Sequence, residues 1–484
     1  MEKGRILLGF DPFHLWQDVR IPHIFEDTNT PAWQIRELLS GQETIEDHFF
    51  GGMPNREGTV TDLSQHIQTL SLCDTHEHLK RESSWVDDGP DILQDLFGNY
   101  VPADLKTAGA TPATMDQLMN GDGDAIEERF NDIRAAWEAT QFTGYGEAVR
   151  LIASDIYGIE ELTPQSLADA QETLTQLRQP GGRLKLLRDR AGLDHIQTDD
   201  FCWPCTPDES GPDFFLYDLS WANFCRGDID PAAIHSETGV DVVDLASLRE
   251  AMVALFDKHG PMAIAVKAQH AYSRTLHWED RSDSDAARAL SDILGGASSV
   301  PTQLCLGDWC WARGVELAIE HNLPFKIHTG YYAGNSRMPV SRIAAGNMCG
   351  LLARYPDCRF VLMHIAYPYD RELIALAKHY PNVWVDLCWA WSIDPYSSCD
   401  FVRRFIHSVP ANKLFGFGGD TGWPTSAAAY ATQMRKWFTR AMEAEVSEGL
   451  LTEPQAIGIA SRIMHDNAYD CFDLPGTRAA IAGA

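Results

Sequence analysis

The string Asp74-Thr75-His76-Glu77-His78 places two histidines one residue apart. Alternate residues of an extended strand face the same side, so both imidazoles would turn one way together. Imidazole nitrogens with a carboxylate are the ligands a zinc-like divalent ion prefers. Further candidates end later apolar runs: Lys267, His328 in Lys326-Ile327-His328, His364 in Leu362-Met363-His364, and Asp420 in Gly418-Gly419-Asp420. Each has an ordinary explanation alone. His-x-His is common, a histidine ending an apolar strand is usually structural, and Asp among glycines is usually a turn residue. Their recurrence at the same end of successive runs points instead to a divalent metal held by His76, His78, His328 and Asp420.

The elements that must position these residues are short apolar runs at 69–75, 193–198, 213–219, 261–267, 323–328, 359–364, 382–388 and 413–419. They are apolar on both faces, as strands of a parallel sheet covered on both sides should be. Helical patterns fill most later gaps: Trp309 to His321, Val340 to Arg354, Asp370 to His379 and Phe401 to His407. Eight strands alternating with helices predict an α/β fold, a closed (β/α)8 TIM barrel, whose strand C-termini face the active site. An open doubly wound sheet is the alternative, but the Gly-rich dinucleotide turn it often carries is missing. Residues 1–68 are expected to form an N-terminal extension packed on the barrel, and residues 69–484 the barrel itself. A large helical insertion over 80–190 follows the first strand, with helices near Ala125 to Thr140 and Pro164 to Arg178. Two helices close the chain, at 425–448 and 453–471, the second opening on a Thr452-x-x-Gln455 capping box.

The net charge of -30 argues against nucleic-acid binding, since a phosphate backbone would be repelled. No run approaches ~18 apolar residues, so no membrane span is expected. The first residues do not read as a signal peptide. Eleven scattered cysteines suit reduced thiols and a cytoplasmic location better than a disulfide framework. The pair Cys202-Trp203-Pro204-Cys205 reads as thiols at a strand end, because no second CxxC accompanies it.

The order His-x-His on strand one, His on five, His on six and Asp on eight resembles the amidohydrolase superfamily. From Lys267 to Asp420 the chain resembles its amidohydrolase-related ("amidohydrolase 2") branch. The strings KAQHAYSRTL, LPFKIHTGYY, FVLMHIAYPY and YPNVWVDLCWA are similar to domains fused to glutamine-synthetase-like proteins. The first half resembles uronate isomerase, through the long helical insertion, Ile156-Tyr157-Gly158-Ile159, Gln197-Thr198-Asp199-Asp200 and the ending His465-Asp466-Asn467-Ala468-Tyr469. The chain departs from that family where Asp420-Thr421-Gly422-Trp423 carries no arginine.

The resemblance implies a metal-dependent hydrolase acting on a C–N or C–O bond of a small carboxylated substrate. A uronate-type isomerase and a non-oxidative decarboxylase are the alternatives. The implied cofactor is a divalent metal, Zn2+ by its ligands, which would bring the pKa of bound water near ~7. Asp420 would take the proton of that water, and His364 would polarise the carbonyl or orient the intermediate. Lys267 has three readings: a cation for the substrate carboxylate, a carbamylated bridge to a second metal, or a structural ion pair. Tyr272, Arg274, Tyr331, Arg337, Trp389 and Trp423 follow the strand ends and are expected to contact substrate. A homo-oligomeric assembly is expected. Cys205, His270 and His277 have no role that the sequence argues.

Overall fold

The computed structural model describes residues 61–123 and 125–483. Most of the expected N-terminal extension, residues 1–60, lies outside the described residues. Eight strands run in order around one parallel sheet. They are β1 (Leu72–Glu77), β2 (Leu193–Thr198), β3 (Phe215–Ser220), β4 (Ala263–Ala268), β5 (Phe325–Ile327), β6 (Phe360–Leu362), β7 (Val383–Asp386) and β8 (Leu414–Phe415). Each of the eight expected runs contributes a strand. All residues of β1, β3 and β4 are buried, as strands of a parallel sheet covered on both faces should be.

The barrel closes where the segment after β8 meets β1. Thr75 N–H donates to the Phe417 carbonyl (3.0 Å), Asp420 N–H to that of His76 (3.1 Å) and His78 N–H to that of Thr421 (3.1 Å). Inside, four residues from alternate strands form one layer, as barrel geometry dictates. The layer is polar here. Lys326 Nζ of β5 donates to Asp218 Oδ1 of β3 (2.9 Å) and to the Thr75 carbonyl of β1 (2.8 Å). Thr75 Oγ1 donates to Asp386 Oδ2 of β7 (2.7 Å). All four residues are buried, so each polar group needs the others.

The insertion between β1 and β2 is helical, as expected. Its helices include Val101–Thr107, Ile126–Thr140, Gly144–Leu151 and Pro164–Leu177. The last opens on Thr163, whose side chain accepts the Ser166 N–H, with Pro164 at the first helical position. Phe97, Leu118, Phe130, Ile133 and Leu174 give the insertion its own apolar core.

The helix expected over Val340 to Arg354 is broken. Two 3-10 turns, Val340–Arg342 and Ala345–Met348, precede a short helix, Cys349–Arg354. At the break, Glu372 accepts the Gly346 N–H, and a Cβ on Gly346 would stand 2.6 Å from that carboxylate. The 453–471 segment is helical but opens into a π turn at Arg462–Asp466. Gln455 Oε1 accepts the Thr452 N–H (2.9 Å), one arm of the expected capping box. No helix among the described residues is long and apolar enough to cross a membrane.

Candidate metal centre

The closing seam carries the site. His76 and His78 come from β1 and its end, and Asp420 from the segment hydrogen-bonded beside it. His76 Nε2 and His78 Nε2 each lie 3.2 Å from Asp420 Oδ1. The ligand atoms of these three residues lie within 4.8 Å of one another. Asp420 sits at φ 56°, a conformation aspartate tolerates better than most residues but still at a cost. The glycines before it answer a packing need. A Cβ on Gly419 would overlap Glu77 Oε1, and one on Gly418 would stand 2.8 Å from Cys388 Sγ. Glu77 is held in turn by the Thr421 N–H, which donates to its Oε2 (2.6 Å).

Hydrogen bonds fix two of the imidazoles. His78 Nδ1 faces the Asp199 carbonyl at 2.6 Å. A carbonyl only accepts, so Nδ1 carries the proton and Nε2 offers its lone pair towards Asp420. His364 Nδ1 donates to the Cys388 carbonyl (3.0 Å) in the same way. Its Nε2 is buried without a hydrogen-bond partner, 4.0 Å from Asp420 Oδ2. His364, Ile365 and Ala366 all have positive φ, as does Trp389; backbone strain thus gathers at this mouth of the barrel.

Electrostatics favour an ionised carboxylate and neutral rings at His76, His328 and His364, whereas at His78 burial is outweighed by the Asp420 carboxylate, which raises the ring above the ordinary histidine range. Burial and the Lys267 charge hold His76 well below the ordinary histidine range. Burial and the His364 charge do the same to His328, and burial pushes His364 down to about 4. Burial alone would raise Asp420, but the adjoining His76 and His78 rings hold it well below the carboxylate range. Neutral imidazoles beside a carboxylate are the donor set a divalent ion requires.

The other expected site residues divide. Lys267 is at the centre, with Nζ 2.8 Å from His76 Nε2. His328 is not one of the three convergent ligands. Its ring packs 4.5 Å from that of His364, and its Nε2 donates to the Tyr331 carbonyl (3.0 Å). Trp389 packs against His364 (5.5 Å) and Tyr331 (5.9 Å), and Tyr272 against His328 (4.6 Å). Arg337 is exposed, with its guanidinium over the Tyr272 ring. Trp423 packs on Trp85 and receives Lys80 over its ring. Arg274 is committed elsewhere: its nitrogens donate to Asp308 and to the Cys225, Thr275 and His277 carbonyls. The thiol pair is no thiolate site, since burial and Asp200 push Cys202 up to about 12.

Several neighbours have no signal in the sequence. Tyr100, from the insertion, donates its hydroxyl to the Asp420 carbonyl and packs with its ring tilted 4.4 Å from that of Trp389. Tyr145, also from the insertion, stacks 5.5 Å from Tyr100. The insertion therefore roofs the site. A cavity of about 530 Å³ beside it is lined by Tyr331, Tyr332, Asn335 and Arg337.

Residues 274–474 match a family model described as "Amidohydrolase"; the stretch includes His328, His364 and Asp420 but not His76, His78 or Lys267. A curated relative, "Protein fluG" of Emericella nidulans, is 27% identical over 229 residues, which are 44% of this chain and 26% of that protein. The chain thus spans about a quarter of that relative's length. Uronate isomerase of Thermotoga maritima superposes with a TM-score of 0.70 at 15% identity, covering 85% of this chain and 96% of that one. Glucuronate isomerase of Caulobacter crescentus gives a TM-score of 0.70 at 16% identity, covering 85% and 93%. These likenesses carry the fold, insertion included.

Proposed function

We propose, since the chain belongs to the amidohydrolase superfamily, that it is a metal-dependent hydrolase acting on a C–N or C–O bond of a small carboxylated substrate. The observation that carries this is the convergence of His76 Nε2, His78 Nε2 and Asp420 Oδ1, with the His78 tautomer set by Asp199. These three residues would hold one divalent ion, zinc by its ligand set. When bound, such an ion supplies Lewis acidity at the mouth of the barrel.

The chain's own groups then divide the work. Asp420 keeps a second oxygen, Oδ2, facing His364, and can take a proton from an attacking water and return it to the leaving group. His364, with Nδ1–H committed to Cys388, presents an acceptor at Nε2. It is therefore suited to hold the O–H of that water and to orient the tetrahedral intermediate that follows, the second of the two roles its sequence position implied. Lys267 occupies the His76 lone pair and must leave it when a cation binds; a substrate carboxylate is the partner we assign it. Tyr272, Tyr331, Arg337, Trp389 and Trp423 would surround the remainder of the substrate. Arg274, fully engaged in the protein, is left out of this set.

A sugar-acid isomerase of uronate type is the second reading. The likeness of the whole barrel and its insertion to two such isomerases favours it, while the lack of an arginine in 420–423 speaks against it. Elemental analysis of the purified chain should find about one zinc-like ion per chain. Hydrolysis of N-acyl or ester acids would then support the first reading, and hydrogen exchange at the second carbon of a uronate the second. A chain that binds no divalent metal would sink both.

A further inference from the structure

Phe201 is a large apolar side chain, 62% exposed, at φ 62°. A bulky residue holds a left-handed conformation only where its surroundings enforce it, at a cost of about 1–2 kcal/mol. Asp199 enforces it here. Its Oδ1 accepts the Phe201 N–H (2.9 Å), its Oδ2 accepts from Gln269 Nε2 (3.1 Å), and its own N–H donates to the Glu77 carbonyl (3.0 Å). The result is specific. The Phe201 ring lies flat on the His78 imidazole, with centroids 4.5 Å apart and planes 6° from parallel. The Asp199 carbonyl is also the group that takes the His78 Nδ1–H. One residue thus sets the tautomer of His78 and the ring that covers its face. His78 is the most open of the three convergent side chains, 18% exposed against 0% for His76 and 7% for Asp420.

We propose that Phe201 is a positioning residue for the metal centre: its ring clamps His78 with Nε2 directed at Asp420 and shields that ligand from water and competing chelators. The proposal rests on the reading that His76, His78 and Asp420 hold a divalent ion. An aromatic of this exposure with no such duty would be removable without effect on the ion.

The test uses the full chain loaded with Zn2+ and follows transfer of the ion to a chromogenic chelator. Phe201→Ala removes the ring. Phe201→Gly removes it while relieving the left-handed backbone, which separates ring from strain. Phe201→Trp keeps a stacked ring. The Ala and Gly chains should lose Zn2+ about tenfold faster than wild type, the scale on which outer groups tune metal affinity. The Trp chain should stay within about twofold by the same reasoning, and the metal-free Ala chain should melt close to wild type, because the ring is exposed and both residues bear the left-handed backbone. Equal release from all four proteins, with wild type holding Zn2+, overturns this inference alone. A wild type that takes up no Zn2+ overturns the metal reading, and this inference with it.

Discussion

Asp420 donates its backbone N–H to the His76 carbonyl at 3.1 Å while its carboxylate lies 3.2 Å from the His76 imidazole. The bond that closes the barrel and the contact that gathers the ligands therefore involve the same two residues. Ligand geometry follows from closure of the sheet, so damage to the seam and damage to the ligands should be separable by mutation.

His78→Ala removes a ligand without touching the closing bonds, which are made by backbone. The metal-free protein should melt within a few degrees of wild type. Wild type should gain about 2.7 kcal/mol of stability when free Zn2+ is 100 times its Kd, and the variant should gain none. Calorimetry with and without Zn2+ reads both. A variant still stabilised by Zn2+ would remove His78 from the ligand set.

Gly419→Ala strikes the seam instead. Its Cβ would overlap the buried Glu77 carboxylate, which Thr421 N–H holds in place. Overpacking of this kind costs about 1–3 kcal/mol. Denaturant unfolding should show that loss, and metal uptake should weaken because the next residue is Asp420. Unchanged stability would mean that Glu77 can move aside.

Strand ends, and the histidines and aspartate that gather there, were legible in the sequence because both are written locally. A short apolar run announces a buried strand, and its last residue announces the mouth of the barrel. Partnerships made across the fold were not legible. Arg274 looks like a free substrate cation until the helix Val300–Glu320 brings Asp308 against it. Tyr100 and Tyr145 sit in an insertion whose sequence carries no chemical pattern, yet they roof the site. His328 has the right type and the right strand end, but its Nε2 is taken by the Tyr331 carbonyl. The Gly418-Gly419 pair reads as a turn and proves to be clearance for Cys388 and Glu77.

Lys326→Met tests the polar layer beneath the site. It would leave Asp218 buried opposite an apolar side chain, and removal of one partner of a buried ion pair typically costs about 3–5 kcal/mol. Adding Asp218→Asn should recover part of the loss, since an amide needs no counter-charge. Urea unfolding of the wild type, the two single variants and the double variant gives the coupling directly. Additive losses would show that Lys326 and Asp218 act independently despite the 2.9 Å contact.

Asp95 supplies a pH signature away from the metal centre. It is fully buried in the insertion, where Tyr157 Oη and Thr425 Oγ1 each donate to it at 2.6 Å. Burial raises its pKa to about 6 despite those two hydrogen bonds. The unfolded chain releases this proton near ~3.9. Between those values the folded state binds more protons than the unfolded one, so this group's contribution is complete below about pH 4 and is lost as pH rises through 6. The whole effect amounts to about 2–3 kcal/mol. Asp95→Asn has no proton to release. Its stability relative to wild type should therefore improve by about 2 kcal/mol between pH 4.5 and 7.5, the part of the effect that falls in that window, whatever the fixed cost of the amide. Urea midpoints of both chains at the two pH values measure it. A difference between the chains that does not change with pH would show that Asp95 is already ionised in the folded protein at pH 4.5, with its two hydroxyl donors compensating the burial.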